Sequence, residues 1–269
     1  MARRVNYEFL GTVLTSCTLI LSVIAMMFES VAIVLGYDKV MRVFKLQSKV
    51  ATVSVVALFV LSIAMGTLAI CVGKIAKMRP KAQNSAATDT VGIVGGLSLA
   101  VSSVLFLVDS LKVADASALK FFTILLVVIS VPTALSYIVG VEKTKLSTFL
   151  AFFPPLWNAT CLVRLYFDAG TAINDPVRIL LQITLVAVML ALMYELKLRV
   201  YGTGKIMFTM TATIATVLSS ASFAAILLLS VLLKVETTAN LLLAVGTLLS
   251  SAYLLIRLDM YYKAARPRD

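Results

Sequence analysis

The 269-residue chain contains no histidine. That excludes imidazole proton relays, histidine-ligated metals and haem, and every Ser-His or Cys-His nucleophile pair. Cysteine is scarce: Cys17, Cys71 and Cys161 show no metal-like or redox-like spacing, and each lies in an apolar run as a small hydrophobic side chain. The 13 acidic residues are scattered singly through the connections, so they offer no clustered carboxylates for metal-assisted or phosphoryl chemistry. No cofactor is expected. Charged residues form only 14% of the chain, and no connection is long enough for a folded soluble domain.

Apolar residues fill the space that charge leaves. They make up 61% of the chain, with a mean hydropathy of +1.01, whereas soluble domains are about half apolar. A soluble fold could not bury so much apolar surface and still present a charged exterior. Repeated apolar runs of about 20 residues match the hydrocarbon core of a bilayer. The fold class is therefore all-α, a polytopic transmembrane helix bundle of about eight spans. The expected spans are 9–35, 50–72, 91–108, 119–140, 146–167, 176–196, 206–233 and 239–256, in one integral membrane domain over 1–269.

The net charge of +11 lies mostly between these runs, where topology and anionic headgroups account for it. The expected partners are bilayer lipid and either a second copy or a partner membrane subunit, not nucleic acid. Near the start, Leu-Thr-Ser-Cys17 resembles a lipoprotein processing site, but the apolar run continues through Met27, as a retained first helix would. Between the first two spans, Val40, Val43, Phe44 and Gln47 fall at helical spacing among basic residues. They read as a short interfacial helix or as an ordinary connection.

"FFPPLWNATCLVRLYFD", residues 152–168, interrupts this pattern. If the stretch crosses the membrane and the N-terminus is inside, most Lys and Arg fall on the inner side; if it only dips, that bias disappears. Eight crossings with both termini cytoplasmic are therefore expected. Pro154 and Pro155 cannot sit within a regular helix, because proline lacks an N–H and its ring crowds the carbonyl four residues earlier. Pro154 also disfavours the α region at Phe153. The fifth span should be broken there, with a new helix starting near Pro155. The break is either a packing kink or a discontinuous helix lining a binding site.

The residues of a cavity or pathway would then be Pro154, Pro155, Asn158 and Arg164, with Pro132 kinking the fourth span. Thr209, Thr213, Thr216 and Ser220 form a hydroxyl stripe on the seventh. That stripe reads as a tightly packed central helix or as a wall of a polar pathway. Ser130, Thr133, Ser136 and Tyr137 stand ready to bind carbonyls that Pro132 frees. Glu29, Asp109, Arg164 and Asp168 fall near the outer surface and form a candidate charge cluster. Arg164 and Asp168 are four apart on one helix face. Glu29 is either a functional intramembrane acid or an interfacial one. No catalytic or metal-ligating set is identified.

The block 152–202 resembles a pattern in uncharacterised multi-pass inner-membrane proteins of Clostridia-like bacteria. The matching residues are Pro155, Trp157, Arg164, Leu165, Asn174 and Tyr194-Glu195. The resemblance implies a bacterial inner-membrane origin and no known activity. A small-molecule transporter or channel-like role leads, from the broken fifth span, the kinked fourth and the hydroxyl-rich seventh. A non-catalytic scaffold or subunit of a larger membrane complex is the alternative. An intramembrane enzyme ranks behind both, for want of a positioned nucleophile and base.

Overall fold

A computed structural model describes residues 6–38, 43–44, 49–75, 78–79, 85–113, 116–139, 144–170, 173, 175–201, 206–232, 237–263 and 266–267. Asn6 opens the first helix by accepting the Phe9 backbone N–H at 3.1 Å, with Glu8 in the first turn against the helix dipole. α1 then runs Tyr7–Gly36 and α2 Lys49–Ile75. α3 (Ala86–Leu111) starts on a reciprocal cap in which the Ser85 and Thr88 side chains each accept the other's backbone N–H. α4 (Ser117–Val139), α5 (Lys145–Leu150), α6 (Phe153–Phe167), α7 (Pro176–Tyr201), α8 (Ile206–Leu232) and α9 (Thr238–Lys263) complete the bundle.

Among the described residues, seven helical segments are long and apolar enough to cross a membrane, with α5 and α6 together forming one of them. α2 is a further helix of 27 residues, uncharged from Val50 to Gly73. Extended structure among the described residues is confined to two short antiparallel pairings. β1 (Tyr37–Asp38) meets β2 (Val43–Phe44), and β3 (Met78–Arg79) meets β4 (Arg266–Pro267). Of the two readings of residues 40–47, an interfacial helix or an ordinary connection, the extended pair at Val43 and Phe44 favours the connection; Val40 and Gln47 lie outside the described residues.

The bundle exposes large apolar side chains outwards and buries small and hydroxyl residues together with a large apolar core. Leu19, Val23, Met27, Val31 and Val34 of α1 and Phe121, Ile124, Val128, Val131 and Leu135 of α4 are exposed at helical spacing. The opposite stripe of α1 is buried and runs Gly11, Leu14, Thr18, Ser22, Ala25, Glu29, Ala32, Gly36. Several buried hydroxyls are satisfied within their own helices: Thr18 donates to the Leu14 carbonyl, Thr123 to Leu119 and Ser103 to Leu99, each at 2.7 Å.

Helix neighbours define a closed circuit, α9 to α3 to α4 to α6 to α7 to α8 and back to α9, with α1 and α2 packed on the outside of α8. α8 and α9 are the most buried spans. The middle of the circuit is filled by Phe106, Leu126, Trp157, Cys161, Leu185, Phe223 and Leu243. Trp157, the only tryptophan, is 0% exposed and its Nε1 donates to Ser103 Oγ at 3.1 Å. Indole in lipid needs such a partner for its N–H.

The fifth span is broken just before the two prolines. Ala151 and Phe152 form a tight turn between α5 and α6; the Phe152 N–H reaches back three residues to Phe149 O at 3.2 Å. Pro154 and Pro155 then fall in the first turn of α6, where their missing N–H groups cost nothing. Phe153 is itself helical, contrary to the extended conformation expected before a proline, and follows the short 3₁₀-like turn directly. Pro132 leaves α4 continuous. Thr133 Oγ1 donates to Ile129 O at 2.8 Å and Ser130 Oγ to Val127 O at 2.7 Å, supplying bonds beside the proline.

Candidate functional site

α6 carries Asn158, Thr160 and Arg164 buried into the circuit. Asn158 Nδ2 donates to Pro154 O at 2.8 Å, while its Oδ1 is buried and has no hydrogen-bond partner among the described residues. Two turns on, Arg164 is 6% exposed. Its guanidinium lies 4.0 Å over the Phe106 ring of α3, and Nη2 stands 3.9 Å from Asp168 Oδ2. Arg164 Nε is buried without a partner among the described residues. A membrane-buried arginine held by one ring face and one long ion pair is under-committed for its charge.

The C-terminal end of α6 is tied to α7 by a second buried arginine. Arg178 Nη1 donates to Asp168 O at 3.0 Å and Nη2 donates to Leu165 O, which also accepts the Asp168 N–H at 3.3 Å, so α7 reinforces the end of α6. Asp175 caps α7 in turn, its Oδ1 accepting Val177 N–H at 2.9 Å, ahead of Pro176 in the first helical position.

A second polar centre lies towards the opposite end of the bundle. Glu195 of α7 is 5% exposed and Arg257 of α9 is 1% exposed. Arg257 Nε and Nη2 both donate to Glu195 Oε1, at 3.1 and 2.7 Å, and Tyr261 OH donates to the same oxygen at 3.0 Å. Arg257 Nη2 also donates to Tyr261 OH at 3.0 Å. Nearby, Tyr137 and Tyr253 meet edge to face, and the Tyr137 hydroxyl reaches Ser250 Oγ at 3.4 Å. Charge-assisted bonds of this kind are the strong ones in a low dielectric.

No family model, curated protein or solved structure matches the chain.

The expected pathway residues are divided between two settings. Pro154, Pro155, Asn158 and Arg164 come together on α6, all buried. Pro132 is on α4, which packs against α6. Thr209, Thr213, Thr216 and Ser220 are buried on α8. Thr216 donates to Ala212 O at 2.8 Å, and Ser220 Oγ lies 2.6 Å from Ser251 Oγ of α9. The first bond stays within α8, and the second joins α8 to α9. Thr213 Oγ1 differs, being buried with no partner among the described residues.

The four expected outer charges do not converge. Arg164 and Asp168 face each other; Asp109 instead pairs with Lys112 at 2.8 Å on an exposed surface. Glu29 is buried on the inward stripe of α1, and a side-chain hydrogen bond joins it to Ser54 of α2.

Sequence reasoning missed the centre formed by Glu195, Arg257 and Tyr261: Arg257 and Tyr261 lie beyond the expected last span, which ended at 256, and Glu195 was named only within the resemblance, without a partner. The usable signal was periodicity. Ser250, Leu254, Arg257 and Tyr261 continue the buried stripe of α9, and Leu181, Leu185, Val188, Leu192 and Glu195 form one on α7.

Proposed function

We propose that the protein is a small-molecule transporter or channel-like protein of a bacterial inner membrane, with both termini cytoplasmic. One observation carries this reading: α6, the second piece of a broken span, holds Asn158 Oδ1 and Arg164 Nε buried and unpaired inside a circuit of helices. Polar atoms at membrane depth are expensive without partners, and broken helices that carry them line solute pathways in many transporters. The loose resemblance of block 152–202 to bacterial inner-membrane proteins supports the location.

The test is chemical access. With Cys17, Cys71 and Cys161 replaced by Ala, single substitutions Asn158→Cys and Thr213→Cys are introduced and treated in membranes with polar thiol reagents. A pathway exposes both positions during the transport cycle, and both react. Inertness at both removes the transport reading.

A second reading, a scaffold or subunit of a larger membrane complex, draws on the filled centre of the circuit. Trp157 and its neighbours occupy that centre, Thr216 bonds within α8, and Ser220 joins α8 to α9. A subunit would co-purify with a stoichiometric partner after mild solubilisation; recovery of the protein alone argues against it.

A further inference from the structure

Glu29 is 3% exposed, seven residues before the end of α1, about 10 Å along the helix axis. α1 is about 45 Å long against a hydrocarbon core of about 30 Å. Centred in the bilayer, it carries Glu29 about 4 Å inside the hydrocarbon boundary nearest Gly36. The side chain lies on the inward stripe between Ala25 and Ile33. Ala25 shares an apolar cluster with Leu218 of α8, and Ile33 shares another with Phe223 and Ile226, so the stripe follows α8 on both sides of Glu29.

Every element packed on α1 is poor in compensating charge at this level. α8 contains no ionisable residue. α2 contributes Ser54, which hydrogen-bonds Glu29, and its other ionisable groups are Lys49, exposed at its first residue, and Cys71 and Lys74 near the opposite end. α9 holds Tyr253, Arg257, Asp259, Tyr261, Tyr262 and Lys263, all in its last three turns, on the level of Gly11 rather than Glu29. On α1 and β1 themselves, Tyr7, Glu8 and Cys17 lie far down the helix, and Tyr37 and Asp38 lie about two turns beyond Glu29. Glu29 has no cationic side-chain partner among the described residues.

We propose that Glu29 is a proton-binding carboxyl, buried where α1 meets α2 and α8, that loads and releases one proton through the nearby end of the bundle. The proton comes from water, joins a carboxylate oxygen to give the neutral acid, and leaves from the same oxygen; only that O–H bond forms and breaks. A proton fits the donor set better than a metal ion, which needs about six oxygen ligands. Glu29 offers a carboxyl beside one hydroxyl, and no group of three or more metal-binding acid, cysteine or histidine side chains exists among the described residues. The neighbouring stripe positions Ser22, Ala25 and Ala32 are small, Ile33 is large, and Glu29 itself is buried. Use of this proton to drive a solute rests on the transport reading; the site itself does not.

The test is labelling of the full-length protein in membranes with dicyclohexylcarbodiimide, an apolar reagent that requires a protonated carboxyl. Adducts are mapped by peptide mass spectrometry in buffers from about pH 5 to about pH 9. The expected result is an adduct on Glu29 that falls at least about tenfold across the series and is absent from Glu29→Gln. No adduct on Glu29 at any pH, or a yield indifferent to pH, overturns the proposal. The wild-type profile decides the matter even if Glu29→Gln fails to fold. Labelled Glu29 with inert cysteines at 158 and 213 keeps the proton site and removes the transport reading. Unlabelled Glu29 with reactive cysteines does the reverse.

Discussion

Glu195 and Arg257 show what a charge inside this bundle requires. Two guanidinium nitrogens and the Tyr261 hydroxyl converge on one carboxylate oxygen, so neither charge is left to the hydrocarbon alone. Removing one partner strands the other, which costs about 3–5 kcal/mol for a buried pair, whereas replacing both by apolar residues is often neutral. Glu195→Ala and Arg257→Ala should therefore each lower the unfolding midpoint in detergent strongly. Glu195→Leu combined with Arg257→Met should recover most of the loss. Equal destabilisation by the double variant would show that the pair itself contributes net stability. Trp157 is a different case, because its value is mostly volume. Trp157→Ala should cost about 3–5 kcal/mol and Trp157→Phe much less, since the latter forfeits little beyond the bond to Ser103, worth about 1 kcal/mol. The same denaturation series ranks the two.

Between helices, the controlling quantity is how closely backbones approach. A Cβ on Gly96 would stand 2.9 Å from the Tyr137 ring and 3.1 Å from Ala134 Cα, so α4 would have to move. Gly96→Ala should cost about 1–3 kcal/mol as overpacking. Gly66 on α2 has nothing within 4 Å of such a Cβ, and Gly66→Ala should be neutral or stabilising by about 0.5–1 kcal/mol through helix propensity. Paired melting curves test the contrast directly. This element scale also separates what was legible from what was not. The break just ahead of Pro154 followed from proline's missing donor. Helical Phe153 did not follow, since the preference against α before proline is soft. The inward aim of Glu29 was in the sequence as a stripe of small residues, but the lipid-facing apolar face of α1 is equally periodic. Only the neighbours decide which face turns inward. The Glu195–Arg257 pair, 62 positions apart in the chain, depended on which helices touch, and no local pattern carries that.

For the whole molecule the pairing of Met78–Arg79 with Arg266–Pro267 has a topological consequence. It places the connection after α2 and the chain end after α9 at the same end of the bundle. Gly11 of α1, packed against Tyr262, belongs to that end as well. Ser85 and Thr144, which cap α3 and α5, start helices running away from it; Lys112 and Gly170, which follow α3 and α6, lie at the other. That assignment holds only if α5 and α6 together cross the bilayer. Were they to dip and return, Gly170 would share a side with Thr144. In a cysteine-free background expressed in bacteria, Lys112→Cys and Gly170→Cys should react with an impermeant maleimide in intact cells. On the proposed orientation, Ser85→Cys and Thr144→Cys should react only after permeabilisation, because Lys- and Arg-rich connections favour the cytoplasmic side. Protection of Gly170→Cys in cells where Lys112→Cys reacts would make the proline segment re-entrant. It would also invert every helix after it and leave the Arg257 end and the Gly11 end on opposite faces, which their direct contact forbids. The geometry therefore stakes the crossing of the broken span on a contact between the first helix and the last.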